Sequence, residues 1–121
     1  DADLDPHLLM WDIRRNVRID LWPRARTVVA FHLDDVPAKS AGWWLIVNGG
    51  EADVCDYDPG YEVSATVQTS LRTLTEFWRG DVSWTAAVRA GAVEVRGDTT
   101  IRRAIPDWLG RSGFAAVPRP A

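Results

Sequence analysis

Two histidines and one cysteine, His7, His32 and Cys55, are the side chains of this chain best suited to nucleophilic or metal chemistry. A nucleophile with its base would need Cys55 or a serine held against His7 or His32. His32 falls on the polar side of an alternating segment beside Phe31, where a lone histidine is ordinarily structural. A zinc site needs about four closely placed ligands, and these three residues show no ligand-like spacing. Asp34-Asp35 and Asp56 with Asp58 flank turn signals, where aspartate bonds its own backbone. No glycine-rich phosphate loop opens a helix; Gly49-Gly50 reads as a hairpin turn. The residues therefore predict a protein that is not an enzyme and takes no cofactor or metal. What they offer instead is apolar surface: seven tryptophans, Trp11, Trp22, Trp43, Trp44, Trp78, Trp84 and Trp108. Small-molecule pockets are typically lined by aromatic and aliphatic groups with a few polar anchors.

The elements that must position them follow from periodicity. Leu4 to Val17 reads as a helix whose stripe is Leu4, Leu8 and Trp11, widened by Leu9 and Ile13. Thr27 to Leu33 alternates Val29, Phe31 and Leu33 against Val28, Ala30 and His32, a strand. Trp43 to Asn48 is a second strand. Its adjacent tryptophans point to opposite faces, and Trp22, Trp43 and Trp44 are candidates for an exposed patch. Asn48-Gly49-Gly50 turns the chain into a third strand, Glu51 to Tyr57, and Asp58-Pro59-Gly60 into a fourth, Tyr61 to Gln68. Thr69 or Ser70 caps a helix with Leu71, Leu74 and Trp78 on one stripe and Gly80 at its end. Ser83 caps another, with Trp84, Ala87 and Val88 inward and Gly91 as its stop. Ala92 to Arg96 is a fifth strand. Asp98 caps a last helix bearing Ile101, Ala104 and Ile105, whose continuation Pro106 disrupts. The order is one helix, four meandering strands, two helices, a strand and a helix. That order predicts an α+β fold with a five-stranded, mostly antiparallel sheet and helices covering one face.

Composition bounds the partners. A chain of 121 residues with 46% hydrophobic content suits one domain, residues 1–121, with one core. A formal charge of −3 argues against nucleic-acid binding by this chain itself. Lys39 is the only lysine, and Arg14, Arg15, Arg18, Arg24 and Arg26 lie close together. They read as a solvated helix end, neutralised by Asp12, Asp20 and Asp34. A single cysteine permits no internal disulfide and fits the cytoplasm. No apolar run approaches the roughly 18 residues of a membrane span. Asp1-Ala2-Asp3 is no signal peptide, and the missing initiator methionine suggests an excised piece.

From Val63 to Asp98 the chain reads VSATVQTSLRTLTEFWRGDVSWTAAVRAGAVEVRGD. Its alternating strand, polar cap, helix end (Leu71, Leu74, Trp78, Gly80, Asp81), alanine-rich helix and Gly91–Asp98 segment resemble the sterol carrier protein type 2 superfamily. Leu8 to Val17 and Ile105 to Pro120 resemble the C-terminal domain fused to some actinobacterial winged-helix regulators of the HxlR type. The superfamily implies a pocket between sheet and helices for fatty-acyl or sterol-like ligands. On that analogy, joined to the periodicity, ligand contacts fall to Phe31, Val67, Leu74, Trp78, Trp84, Val88, Trp108 and Phe114. The narrower resemblance implies a bacterial effector domain that senses an apolar small molecule in transcription regulation. DNA would then be met only through a winged-helix domain preceding Asp1. The alternatives are a stand-alone lipid carrier, or a structural module with a filled cavity that forms a homodimer or packs on a partner domain, as similar domains do in some alkylsulfatases.

Overall fold

The computed structural model describes residues 5–110. The first helix, α1, spans Pro6–Asn16. Asp5 caps it, its carboxylate accepting from the His7 N–H at 2.9 Å, and Pro6 occupies the first turn, where its missing N–H costs nothing. The buried row is Leu9, Met10 and Ile13. The expected stripe is thus corrected: Leu8 is 70% exposed and Trp11 43%, and Leu4 lies outside the described residues. Two apolar rows about 100° apart run along this helix. Only docking onto the strands and the second helix decides between them.

Strand β1 covers Thr27–Leu33, β2 Gly42–Asn48 and β3 Glu51–Cys55. The turn between β2 and β3 places Gly49 and Gly50 at φ 61° and 89°, the pair of positive values that a twisted two-residue hairpin requires. Strand β4 is Ala65–Thr69 and β5 is Val93–Gly97. The sheet order is β3-β2-β1-β4-β5. Every pairing is antiparallel except β1 with β4, which is parallel. Two expectations change. The strands do not meander throughout, because β4 crosses to the far side of β1. Nor is Tyr61 to Ser64 part of β4; residues 56–64 carry the crossing, and Tyr61 and Val63 are exposed.

One face of the sheet is the core. Val29, Phe31 and Leu33 align with Leu45, Trp43, Ala65, Val67 and Thr69 through the strand registers, and all are buried. Helix α1 packs on β3, and the third and fourth helices pack on β5. On the other face Val28 and Ile46 are also buried. The crossing segment reaches them: the Ser64 N–H donates to the Val28 carbonyl at 2.8 Å, and the Val28 N–H to Ser64 Oγ at 3.2 Å.

Helix α2 is Leu71–Arg79, capped by Ser70, which accepts from the Thr73 N–H. Asp35 reaches across to the same helix start and accepts from the Leu71 and Arg72 N–H groups at 2.6 and 3.2 Å. Helix α3 is Trp84–Arg89, capped by Ser83. Helix α4 is Thr99–Leu109, capped by Asp98. It runs through Pro106 instead of breaking there. The proline forfeits one backbone bond, but Ile105, Trp108 and Leu109 are buried on either side of it and hold the last turn.

One bond ties the helical layer together. The Trp78 Nε1–H of α2 donates to Asp12 Oδ2 of α1 at 2.5 Å. Trp78 is buried, so Asp12→Ala would leave its indole N–H without this partner. The expected loss is about 1–3 kcal/mol, read as a lower urea midpoint with an unchanged slope. An unchanged midpoint would show that water replaces the carboxylate.

Candidate functional site

Five of the eight sequence-assigned contact residues, Phe31, Val67, Leu74, Trp78 and Trp108, are buried together in one hydrophobic cluster. Trp84 belongs to the same cluster but also lines the rim of two surface hollows. Val88 does not face inward. It is 44% exposed and lines the first hollow beside Trp84. Phe114 lies outside the described residues.

The first hollow has a volume of about 370 Å³ and lies between α3, β5 and the start of α4. Its apolar wall is Trp84, Val88 and Val95, and its rim carries Arg89, Arg102 and Arg103. The second, of about 590 Å³, shares Trp84 and Thr85 and adds Phe77, Pro106 and Arg18. The Trp84 indole is fixed from beneath by an edge contact with Phe77, centroids 5.1 Å apart at 68°. The three rim arginines were not singled out from sequence. Their signal was present, the Arg102-Arg103 doublet and Arg89 in one short stretch of chain, but only the fold brings them round one hollow.

Arg18 links the second hollow to α1. Its backbone N–H donates to the Trp108 carbonyl at 2.8 Å, and the Trp22 Nε1–H donates to the same oxygen at 3.0 Å. Trp22 and Trp108 stack with centroids 4.7 Å apart. Of the expected exposed patch, Trp22 and Trp43 are therefore buried and only Trp44 is half-buried. The expected neutralisation of the N-terminal arginines holds in part: Arg15 pairs with Asp12 at 3.3 Å and Arg18 with Asp20 at 3.9 Å, whereas Arg26 lies over the Tyr61 ring at 3.9 Å and, among the described residues, Asp34 takes no part. A further carboxylate comes from β3, Asp53, 3.8 Å from Arg14.

The chemistry-bearing residues are dispersed. Burial, and then the Asp53 charge, push the Cys55 thiol above its ordinary value, which disfavours the thiolate that a nucleophile needs. His7 sits edge-on to Trp43 at 4.9 Å, and His32 is exposed on the outer sheet face. Among the described residues no three His, Cys, Asp or Glu side chains gather as a metal site, and no helix is long and apolar enough to cross a membrane.

No family model matches the chain, and no curated protein matches it. Solved structures do. A double mutant of the sec-alkylsulfatase Pisa1, an enzyme from Pseudomonas sp., superposes with a TM-score of 0.72 at 15% identity. The match covers 88% of this chain but only 16% of the sulfatase. UbiJ-SCP2, a ubiquinone synthesis protein, matches with a TM-score of 0.61 at 18% identity over 93% of this chain and 90% of its own. Palmitated SCP2L2 from Aedes aegypti matches at 0.59 and 14% over 84% and 90%. These likenesses define the fold: an α+β domain of the sterol carrier protein 2 type.

Proposed function

We propose that this domain binds an apolar, lipid-like small molecule in the hollow between α3, β5 and α4, and that it binds without catalysing a reaction. The observation that carries this is the hollow itself: about 370 Å³ walled by Trp84, Val88 and Val95, within the range of small-molecule pockets. The fold supports it, since one protein that shares it is described as palmitated. The dispersed histidines and the disfavoured Cys55 thiolate support binding over chemistry. The test is a titration with dodecanoate and dodecanol, followed by amide shifts at Thr85, Val88 and Val95. Saturable shifts are expected, and Val88→Glu, at an exposed position, should fold normally and weaken both compounds by about tenfold or more. If neither compound moves those resonances, the hollow is not a lipid site.

The finer form of the proposal is an effector domain of a winged-helix transcriptional regulator in the bacterial cytoplasm. The resemblance of Leu8–Val17 and Ile105–Pro120 to such domains supports it. So does the contact of α4, which borders the hollow, with the segment just after α1, where the Arg18 N–H donates to the Trp108 carbonyl. Ligand would act by favouring one of two placements of α1. A regulator carrying both modules should then change its DNA affinity when dodecanoate is added.

A second reading, a packing or dimerisation module, is favoured by Leu8 and Trp11, adjacent apolar side chains left exposed on α1. It predicts concentration-dependent sedimentation that Trp11→Glu abolishes.

A further inference from the structure

We infer that the hollow between α3 and α4 selects amphiphiles with an acidic head, a carboxylate or a phosphate, which Arg89, Arg102 and Arg103 hold while the alkyl chain lies on Trp84, Val88 and Val95. This rests on the hollow being a lipid site, as proposed above, and adds the class of ligand.

The argument is one of charge. The chain is net acidic, with 17 acidic residues against 14 basic ones. Four arginines elsewhere have a carboxylate beside them: Arg14 with Asp53 at 3.8 Å, Arg15 with Asp12 at 3.3 Å, Arg18 with Asp20 at 3.9 Å and Arg96 with Glu94 at 3.0 Å, and Arg26 lies over the Tyr61 ring. Around this hollow positive charge gathers without such partners. Three guanidinium groups line it, and no aspartate or glutamate does. Among the described residues none of the three forms an ion pair; Arg102 instead donates to the neutral Thr99 Oγ1 at 3.2 Å. Arg89 comes from the last turn of α3, and the other two from the first turns of α4. The positive charge is thus assembled by the packing of two helices and is not one solvated run.

Guanidinium groups hold carboxylate and phosphate through paired, charge-assisted bonds. A shallow concavity of one sign also concentrates oppositely charged ligands. A neutral sterol offers these groups a single hydroxyl, without the charge or the paired oxygens. The apolar wall, in turn, gives an alkyl chain a surface that a free inorganic anion would leave unused. Head and chain together fit one molecule.

The experiment compares compounds of equal chain length: dodecanoate, dodecyl phosphate, dodecanol and dodecylammonium, each titrated against the whole chain at low and high salt. At least one acid should bind about tenfold tighter than dodecanol, the advantage of a charged hydrogen bond, and dodecylammonium should bind weakest. The tighter of the two acids identifies the head. Raising the salt should shrink the advantage, and in Arg102→Gln with Arg103→Gln the acids should bind no more than about twofold tighter than dodecanol binds the same variant. Arg89→Gln provides an independent check from the other helix. Equal affinity for dodecanoate, dodecyl phosphate and dodecanol would overturn the acidic-head assignment and leave the lipid site standing. Binding by none of the four would overturn both.

Discussion

Trp43→Ala is expected to remove about 3–5 kcal/mol of stability, a large part of the roughly 5–15 kcal/mol that holds a domain of this size. Trp43 is 1% exposed and is the largest fully buried side chain. It lies beside Phe31 across the β1–β2 pairing, takes the His7 ring edge-on, and donates its indole N–H to the Ser40 carbonyl at 2.8 Å. Truncation leaves a cavity under α1 and removes that carbonyl's indole partner. The internal control is the next residue. Trp44 faces the opposite side of the sheet and is half-buried, so Trp44→Ala should cost only about 1 kcal/mol, as a partly exposed position does. Urea denaturation of both variants makes the comparison. Equal losses would contradict the face assignment of β2.

Trp108→Ala should be nearly as costly, about 3–5 kcal/mol, and should also carry a local signature. Trp108 stacks on Trp22 at 4.7 Å with planes 29° apart, and it lies just beyond Pro106, where α4 has already lost a backbone bond. Removing the ring leaves Leu109 as the main buried anchor beyond the proline. The last turn of α4 should then exchange its amide hydrogens much faster than the first turns, and the near-ultraviolet dichroism of the indole pair should vanish. Trp108→Phe, which keeps a ring against Trp22, should recover most of the stability. If Trp108→Ala exchanges uniformly along α4, the helix is held past Pro106 by something other than this stack.

Much of this architecture was legible in the sequence where a local signal has one meaning. Strand β1 begins and ends where its alternation does, the Gly49-Gly50 hairpin forms, and Ser70, Ser83 and Asp98 cap three helices. The misreadings occur where a local signal has two meanings. Leu8 and Leu9 both belong to plausible apolar rows of α1, and only the tertiary contacts choose Leu9. The alternation of Tyr61 and Val63 continues into β4 without a break, although the hydrogen-bonded ladder starts at Ala65. Alternation is the same for parallel and antiparallel neighbours, so nothing local showed that β4 would lie beside β1. Pro106 reads as a stop, yet burial on both sides of it outweighs one lost bond. At the site, periodicity located the apolar residues but could not separate those that fill the core, such as Leu74 and Trp78, from those that border open space, Trp84 and Val88. The arginines dense in the sequence lie near the N-terminus, where Arg14, Arg15 and Arg18 have carboxylate partners, whereas Arg89, Arg102 and Arg103 come together only through the packing of α3 and α4.

The parallel pairing of β1 with β4 divides the chain into two ribbons. Residues 27–55 form three strands joined by short connections, and residues 65–97 form two strands joined through α2 and α3. Within the first ribbon strand partners are near neighbours along the backbone, whereas in the second β4 reaches β5 only after two helices, from Thr69 to Val93 and from Ala65 to Gly97. The ribbons are sewn along one seam, where Val29 meets Ala65 and Phe31 meets Val67, and where Val28 and Ser64 bond across 36 positions of sequence. Closing that loop has the entropy cost of a distant join, and it is returned only when Phe31 and Val67 are buried together. The seam is therefore the strand pairing that joins the most distant positions of the chain. An insertion in the stretch 56–60 would lengthen the thread between the ribbons without altering a single ladder bond within either.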